Sequence, residues 1–207
     1  RFKLRAKVEI SYDKNLSVFA VFGEKATQLL NLSNVLGESK KINNGISFVD
    51  PRAIDLGCRI IAPELDVIEL LKRLSIKEGT FIEYDTIRLN LCIPDGTRDL
   101  IVNKSVLLEA NFDKLHGIDW EKGCYIGQEV TARSKFRGLL KRRLVSVNYN
   151  GKGINTGTLI FLDKKEVGTI RSSVDGLSIA MLRVDALEKT SKNNPLTANG
   201  IVISKFN

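Results

Sequence analysis

Apolar and polar residues alternate strictly at the start of the chain. Phe2, Leu4, Ala6, Val8 and Ile10 fall on one face, and Lys3, Arg5, Lys7 and Glu9 on the other. A period of two predicts a strand with one wetted face. Residues 16–22 are more uniformly apolar and predict a second, more buried strand; Asp13, Lys14 and Asn15 between the two are turn residues. Over 24–36, Ala26, Leu29, Leu30 and Leu36 lie near helical spacing, with Gly37 suited to the position after a helix. Residues 46–50 and 58–62 predict short strands on either side of an Asp50-Pro51-Arg52 turn. Pro63 suits a first helical position, and Leu65, Ile68, Leu71 and Leu74 form a stripe behind it. Tyr84, Ile87 and Leu91 suggest a third helix that ends before Pro94. Residues 95–104 are polar and read as a loop, and 107–120 carry no clear period.

Beyond Gly138 the pattern changes. Short β-type runs at 144–149, 158–162, 166–170, 178–182 and 200–204 are punctuated by Asn150-Gly151, Asp163-Lys164 and Asp175-Gly176. Evenly spaced short strands predict a small barrel or sandwich. The expected organisation is an α+β core over 1–138 followed by a β domain over 139–207. The second part concentrates no His, Cys or carboxylate set, so no catalytic group is expected there.

Composition narrows this only a little. At 43% hydrophobic and 27% charged, the 207 residues suit a globular fold. No apolar run approaches the ~20 residues of a membrane span. The formal charge of +8 admits an anionic partner such as nucleic acid, a phosphate or a polyglutamate tail, and equally a solvated basic surface. Lys135, Arg137, Lys141, Arg142 and Arg143 form a basic cluster. A solvated face is its favoured reading over RNA binding, since the signatures of the common RNA-binding modules are missing. Cys58, Cys92 and Cys124 are scattered, and His116 is the single histidine. A closed zinc site and a disulfide framework are therefore not expected, and a reducing compartment is. The chain begins at Arg1 rather than Met, so an N-terminal part is expected to lie outside it.

The densest chemistry lies in KGCYIGQEVTAR, residues 122–133. Gly127 marks a change of conformation, after which 128–137 predict a short helix stopped by Gly138. Glu129 falls in its first turn and is spaced to pair with Arg133. Cys124 lies just before the helix start and two residues after Lys122. A thiolate there is stabilised by both, against the alternative of a small buried side chain. Gly123 and Gly127 permit a positive φ or the close approach of a ligand. Tyr125 offers a ring and a hydroxyl, or plain core packing. Elsewhere Tyr84 and Arg88, four residues apart, share a helical face and suit a flat heterocycle with an anionic tail, or simply each other. Glu109 is an acid among apolar neighbours, able to pair with heterocycle N–H groups or with a basic side chain.

The run Lys122-Gly123-Cys124-Tyr125-Ile126-Gly127-Gln128-Glu129 resembles the K-G-C-[FY]-x-G-Q-E signature of the YgfZ-type folate-binding proteins, relatives of the glycine-cleavage T-protein that include iron–sulfur assembly proteins. DPR…LGCRII, LLEANFDKLHGIDWEKGC and AR…FRG…KRRL resemble the family's flanking pieces, most strongly over 50–144. The resemblance implies a ferredoxin-like folate-binding core, here without its N-terminal part, and a C-terminal β-barrel. It implies a tetrahydrofolate-binding protein supporting iron–sulfur assembly or repair and, through cluster enzymes, tRNA modification. Its partners would be a reduced folate and iron–sulfur client or assembly proteins, with no membrane and no stably bound metal. The compartment would be the cytoplasm, or the mitochondrial matrix in a eukaryote. Cys124 with Lys122 would supply a functional thiol, and Tyr84, Arg88, Asn90, Glu109, Tyr125 and Gln128 would line the ligand site. Asn90 and Cys92 stand where relatives carry a glutamate and a glycine, so the charge used there on the pterin is lost. A folate-dependent aminomethyltransferase or demethylase is the alternative, though the T-protein branch lacks the cysteine.

Overall fold

The computed structural model describes residues 7–136, 138 and 140–206. The chain forms two compact units. One comprises the described residues up to Asp50 together with Gly57–Glu78, and the other Pro51–Leu56 with the described residues from Gly79 onward.

The first unit is an antiparallel sheet of β1 (Ser17–Val21), β2 (Ser39–Ile42), β3 (Gly45–Val49) and β4 (Cys58–Ala62), in the order β1-β4-β3-β2. Cys58, Ile60 and Ala62 alternate with half-buried neighbours, so β4 turns one face to the core. Val21, Val49 and Ile60 meet Ala26, Leu30 and Leu32 there, with Val67 of helix α2 (Glu64–Arg73). Leu70, Leu71 and Leu74 add to this core while Leu65 points outward, so the buried stripe is rotated from the expected one. Pro63 caps α2 from outside: its ψ of 138 is extended, and helical geometry starts at Glu64.

The expected helix over 24–36 shrinks to α1 (Ala26–Leu29). Asn31 takes φ 53, and Leu32 donates back to the Thr27 carbonyl, so the chain turns after one helical turn. The turn buries Leu30 and Leu32 without a longer helix, and asparagine tolerates the left-handed conformation. Strand β2 was not expected, because Ser-Lys-Lys-Ile is an exposed edge without alternation. The Asn43-Asn44 turn pairing Ile42 with Gly45 is its only signal. Gly45 is required: a Cβ there would meet the Ile61 carbonyl at 2.2 Å. Of the expected first strand, 2–6 lie outside the described residues, and 7–10 are exposed and in no strand. Alternation creates a suitable face, but a strand also needs a hydrogen-bonded neighbour.

In the second unit, α3 (Phe81–Asn90) starts with a reciprocal Thr80–Glu83 capping box. It ends at Leu91 with Cys92 at φ 54. There Cys92 N–H donates to Leu89 O, and Ile93 N–H to Arg88 O. Turns then lead to α4 (Gln128–Phe136). From Arg142 a closed barrel forms, ordered β10-β5-β8-β7-β6-β9. Its strands are β5 (Arg142–Tyr149), β6 (Leu159–Leu162), β7 (Lys165–Val174), β8 (Leu177–Arg183), β9 (Leu196–Ala198) and β10 (Ile201–Lys205), with α5 (Val184–Lys189) after β8. The short β9 and α5 escaped the sequence pattern. Val147, Ile160, Ile170, Leu182 and Ile203 fill the barrel. On its outside, Leu144, Ile179 and Met181 pack with Leu89 of α3 and Ala110. β8 is therefore buried on both faces, which is why its sequence does not alternate.

The face of α3 that is most buried is not the expected Tyr84–Ile87–Leu91 stripe but Asp85, Arg88 and Leu89. Arg88 Nε donates to Asp85 (2.5 Å), and its Nη1 to Asp99 (2.7 Å) and the Ile93 carbonyl (2.9 Å). Arg98 closes on the other side of Asp85. Asp99, 1% exposed, also accepts from the N–H groups of Asp95 and of Ser172 in β7, each at 2.7 Å. β7 breaks register between Ile170 and Ser173, leaving the Ser172 N–H outside the ladder and able to reach Asp99. Burial opposes ionisation of Asp95. The Thr97 hydroxyl and the Thr97 and Arg98 N–H groups outweigh it and hold the carboxyl down at about 2.

Asp99→Ala should lower unfolding free energy by about 3–5 kcal/mol in urea, the cost of leaving a buried arginine half-paired. Asp185→Ala, which breaks only the exposed pairs with Arg183 and Lys189, should leave the midpoint nearly unchanged. Because the Asp95 pKa is depressed on folding, its stabilisation is complete above the ordinary value of ~3.9 and is lost as pH falls toward about 2. Asp95→Asn should flatten that part of the stability–pH curve.

Candidate functional site

The 122–129 turn is organised around Gly127, whose φ is 89. A residue with a side chain would be strained there, although nothing lies within 4 Å of where its Cβ would sit. Gln128 closes the turn in both directions. Its N–H donates to the Tyr125 carbonyl (3.2 Å), and its side-chain oxygen accepts from the Tyr125 N–H (3.4 Å). Upstream, Asp119 Oδ1 accepts from the N–H groups of Glu121 (2.9 Å) and Lys122 (3.2 Å). Between these two fastenings lie Gly123 and Cys124. Gly123 has open space around it.

Cys124 is exposed, whereas Cys58 is buried and Cys92 half-buried. Burial and the nearby Asp50 push the Cys58 thiol up to about 11. Burial also raises that of Cys92, against the Ser146, Lys114 and Asn111 contacts that favour its thiolate. The Lys122 ammonium sits 4.8 Å from the Tyr125 ring centre, so lysine and ring frame the thiol's turn together. Ile126 at its tip is 95% exposed. Glu129 and Arg133 make no ion pair among the described residues, contrary to the expected spacing argument. On an exposed helix water competes for both groups, and fixing two long side chains costs entropy.

The other candidates lie around α3. Arg88 is turned inward and held by Asp85 and Asp99, so it does not stand beside Tyr84 on an open face. The guanidinium that does reach Tyr84 is Arg52, from the Asp50-Pro51-Arg52 turn, with Nη2 at 3.4 Å from the phenol oxygen. Sequence reasoning marked that turn but not Arg52 as a site residue, since a helical period cannot report a neighbour 32 positions away. Asn90 is exposed on the last turn of α3. With Cys92, Asn111, Lys114 and Phe206 it lines a hollow of ≈ 200 Å³. Glu109 is half-buried, and its carboxylate has no hydrogen-bond or ion partner among the described residues. Also among the described residues, no three His, Cys, Asp or Glu side chains are grouped as a metal would need, and no helix is long and apolar enough to cross a membrane.

Residues 141–205, the barrel, match the family described as CAF17, C-terminal beta-barrel domain. The iron-sulfur cluster assembly factor IBA57 homolog of Dictyostelium discoideum, described as mitochondrial, is 30% identical over 77% of this chain and 39% of its own length. The mitochondrial IBA57 of Mus musculus is 26% identical over 97% and 58%, and that of Homo sapiens 29% over 87% and 51%. The chain thus spans between 39% and 58% of the length of these curated relatives. Among solved structures, the glycine cleavage system aminomethyltransferase T of Bartonella henselae superposes with a TM-score of 0.66 over 88% of this chain and 55% of its own; at 16% identity this speaks for the fold alone. An α+β part with an antiparallel sheet, a closed six-stranded barrel and these relatives lead to one conclusion: the chain belongs to the IBA57/CAF17 family and has a GcvT-like fold.

Proposed function

We propose that this chain acts in iron–sulfur cluster assembly or repair as an accessory protein that binds a reduced folate, and that it affects tRNA modification only through cluster enzymes. The observation that carries the assembly role is Cys124, the one exposed thiol of three, presented on a turn fixed by Gly127 and Gln128. Lys122 supplies positive charge beside it. With no metal-ligating neighbours among the described residues, Cys124 acts toward a client or assembly protein that brings the other ligands. The relatives' names support this role and a mitochondrial setting for a eukaryotic source.

For the folate, the half-buried Glu109, whose carboxylate has no partner among the described residues, suits the N–H groups of a pterin. Tyr84 supplies a ring and Arg52 a cation for the anionic tail. Asn90, Tyr125 and Gln128 complete the polar set, while Arg88 positions α3 from within. We assign the folate-binding part to 1–138 and the barrel to 139–207. The GcvT-like fold favours a second reading, one-carbon transfer by a folate-dependent aminomethyltransferase; tetrahydrofolate-dependent release of a one-carbon unit from a supplied donor would select it.

Calorimetry of tetrahydrofolate against the full-length protein should show Tyr84→Ala weakening binding by about 1–3 kcal/mol, the scale of a lost aromatic contact. Unchanged affinity removes Tyr84 from the site. For the thiols, iodoacetamide should label Cys124 first in the native protein, Cys92 more slowly, and Cys58 only on unfolding, as read by mass spectrometry. Cys124→Ala should fail to restore cluster-enzyme activity in cells lacking the protein, whereas Cys58→Ala should restore it. Equal rescue by both would end the functional reading of Cys124.

A further inference from the structure

Residues 120–143 carry seven Lys and Arg against two Glu, so five of the chain's eight net positive charges fall in 24 positions. Arg143 is neutralised, its guanidinium gripping both oxygens of Asp113 at 2.7 Å. The other described cations of the stretch, Lys122, Arg133, Lys135, Lys141 and Arg142, have no carboxylate within 4.0 Å among the described residues. They are therefore not a lattice of self-compensating surface pairs, which is what a merely solvating face commonly shows.

Aromatic rings are set among them. The Lys135 ammonium lies 3.6 Å from the centre of the Trp120 ring and 5.4 Å from that of Phe136. Trp120 is 37% exposed and Phe136 76%. α4 buries only Thr131, with Gln128, Ala132 and Ser134 half-buried, and leaves Glu129, Val130, Arg133, Lys135 and Phe136 exposed. Packing gives no reason for an exposed phenylalanine and a half-exposed tryptophan to share one lysine.

From this juxtaposition of uncompensated cations and exposed rings, we propose that the patch of Trp120 with Lys135 and Phe136 of α4, with Arg133 elsewhere on the exposed helix surface and Lys141 and Arg142 following in the chain, binds single-stranded nucleic acid. A single strand offers a phosphate and an unstacked base at every nucleotide. Cations interleaved with rings answer both, the ammonium moving from ring to phosphate as a base takes its place. A duplex keeps its bases stacked and has no use for the rings. An acidic protein segment would match the cations but leave the ring faces idle; it would draw instead on Ile126 and Val130, exposed at the other end of the helix. The proposal is independent of the folate and thiol readings, since it uses neither Tyr84, Glu109, Lys122 nor Cys124.

Trp120 is the chain's single tryptophan, so its emission reports on this face alone. The full chain would be titrated with oligouridylate and oligothymidylate of ~20 nucleotides and with a polyglutamate peptide of matched charge. The oligonucleotides should change Trp120 emission, and affinity should fall by roughly 10–50-fold between about 50 and 200 mM salt, as release of about four counterions from a single strand requires. Arg133→Glu with Lys135→Glu, or separately Lys141→Glu with Arg142→Glu, should weaken binding by about tenfold or more while circular dichroism stays that of the parent. Lys40→Glu with Lys41→Glu, the same charge change on β2, should alter it by less than about twofold. Three results overturn the proposal: no emission change at low salt, polyglutamate binding as well as the oligonucleotides, or the β2 pair weakening binding as much as the α4 pair.

Discussion

A single buried carboxylate holds the second unit together. Asp99 accepts from Arg88 of α3, from the Asp95 N–H that starts its own loop, and from Ser172 N–H in the barrel wall. A carboxylate so deeply buried is stable only when its charge is met and its lone pairs are used, and here three donors do both. The consequence is geometric. α3 cannot slide along the barrel without exposing Asp99 or stranding Arg88, so the helix carrying Tyr84 and Asn90 has one seat. The apolar contacts of Leu89 with Ile179 and Met181 supply burial, while the ion network supplies register.

The barrel follows from the same seating. Because β8 is covered by α3 and the turns on one side and by the barrel interior on the other, its sequence is apolar at nearly every position. β7 can spare the Ser172 N–H only because its register breaks there, a local loss in the ladder offset by the bond to Asp99. The four-stranded unit is built on simpler terms: one buried face, two helical segments against it, and the β2 edge left polar by Ser39, Lys40 and Lys41.

The 122–129 turn shows how a small number of backbone demands can place reactive chemistry. Gly127 supplies the positive φ, Gln128 ties the turn to itself, and Asp119 fastens its approach. None of these contacts covers Cys124. The two remaining thiols are withdrawn by burial in the sheet core and at the end of α3. Cys92 takes φ 54 to end α3, a conformation that favours glycine, and cysteine bears the strain.

Much of this was legible in the residues themselves. Strands β1, β3, β4, β5 and β8, helices α2 and α3, the Gly127 turn with α4 behind it, and a run of barrel strands toward the C-terminal end all follow from local period and punctuation, which are properties of neighbours in the chain. The KGCYIGQE run carried the family. What the sequence could not convey depended on partners far along the chain. The stop after Leu29 depends on burying Leu30 and Leu32 in a core that 24–36 do not contain. The burial of Asp85 and Arg88 in place of Tyr84 and Ile87 depends on Asp99 and Ser172, 11 and 73 positions from their partners. The pairing of Tyr84 with Arg52 rather than Arg88 depends on a turn 32 positions away. Helical spacing says which side chains share a face; only the packed structure decides which face is buried and which charges meet, because electrostatics and burial act between residues brought together by the fold.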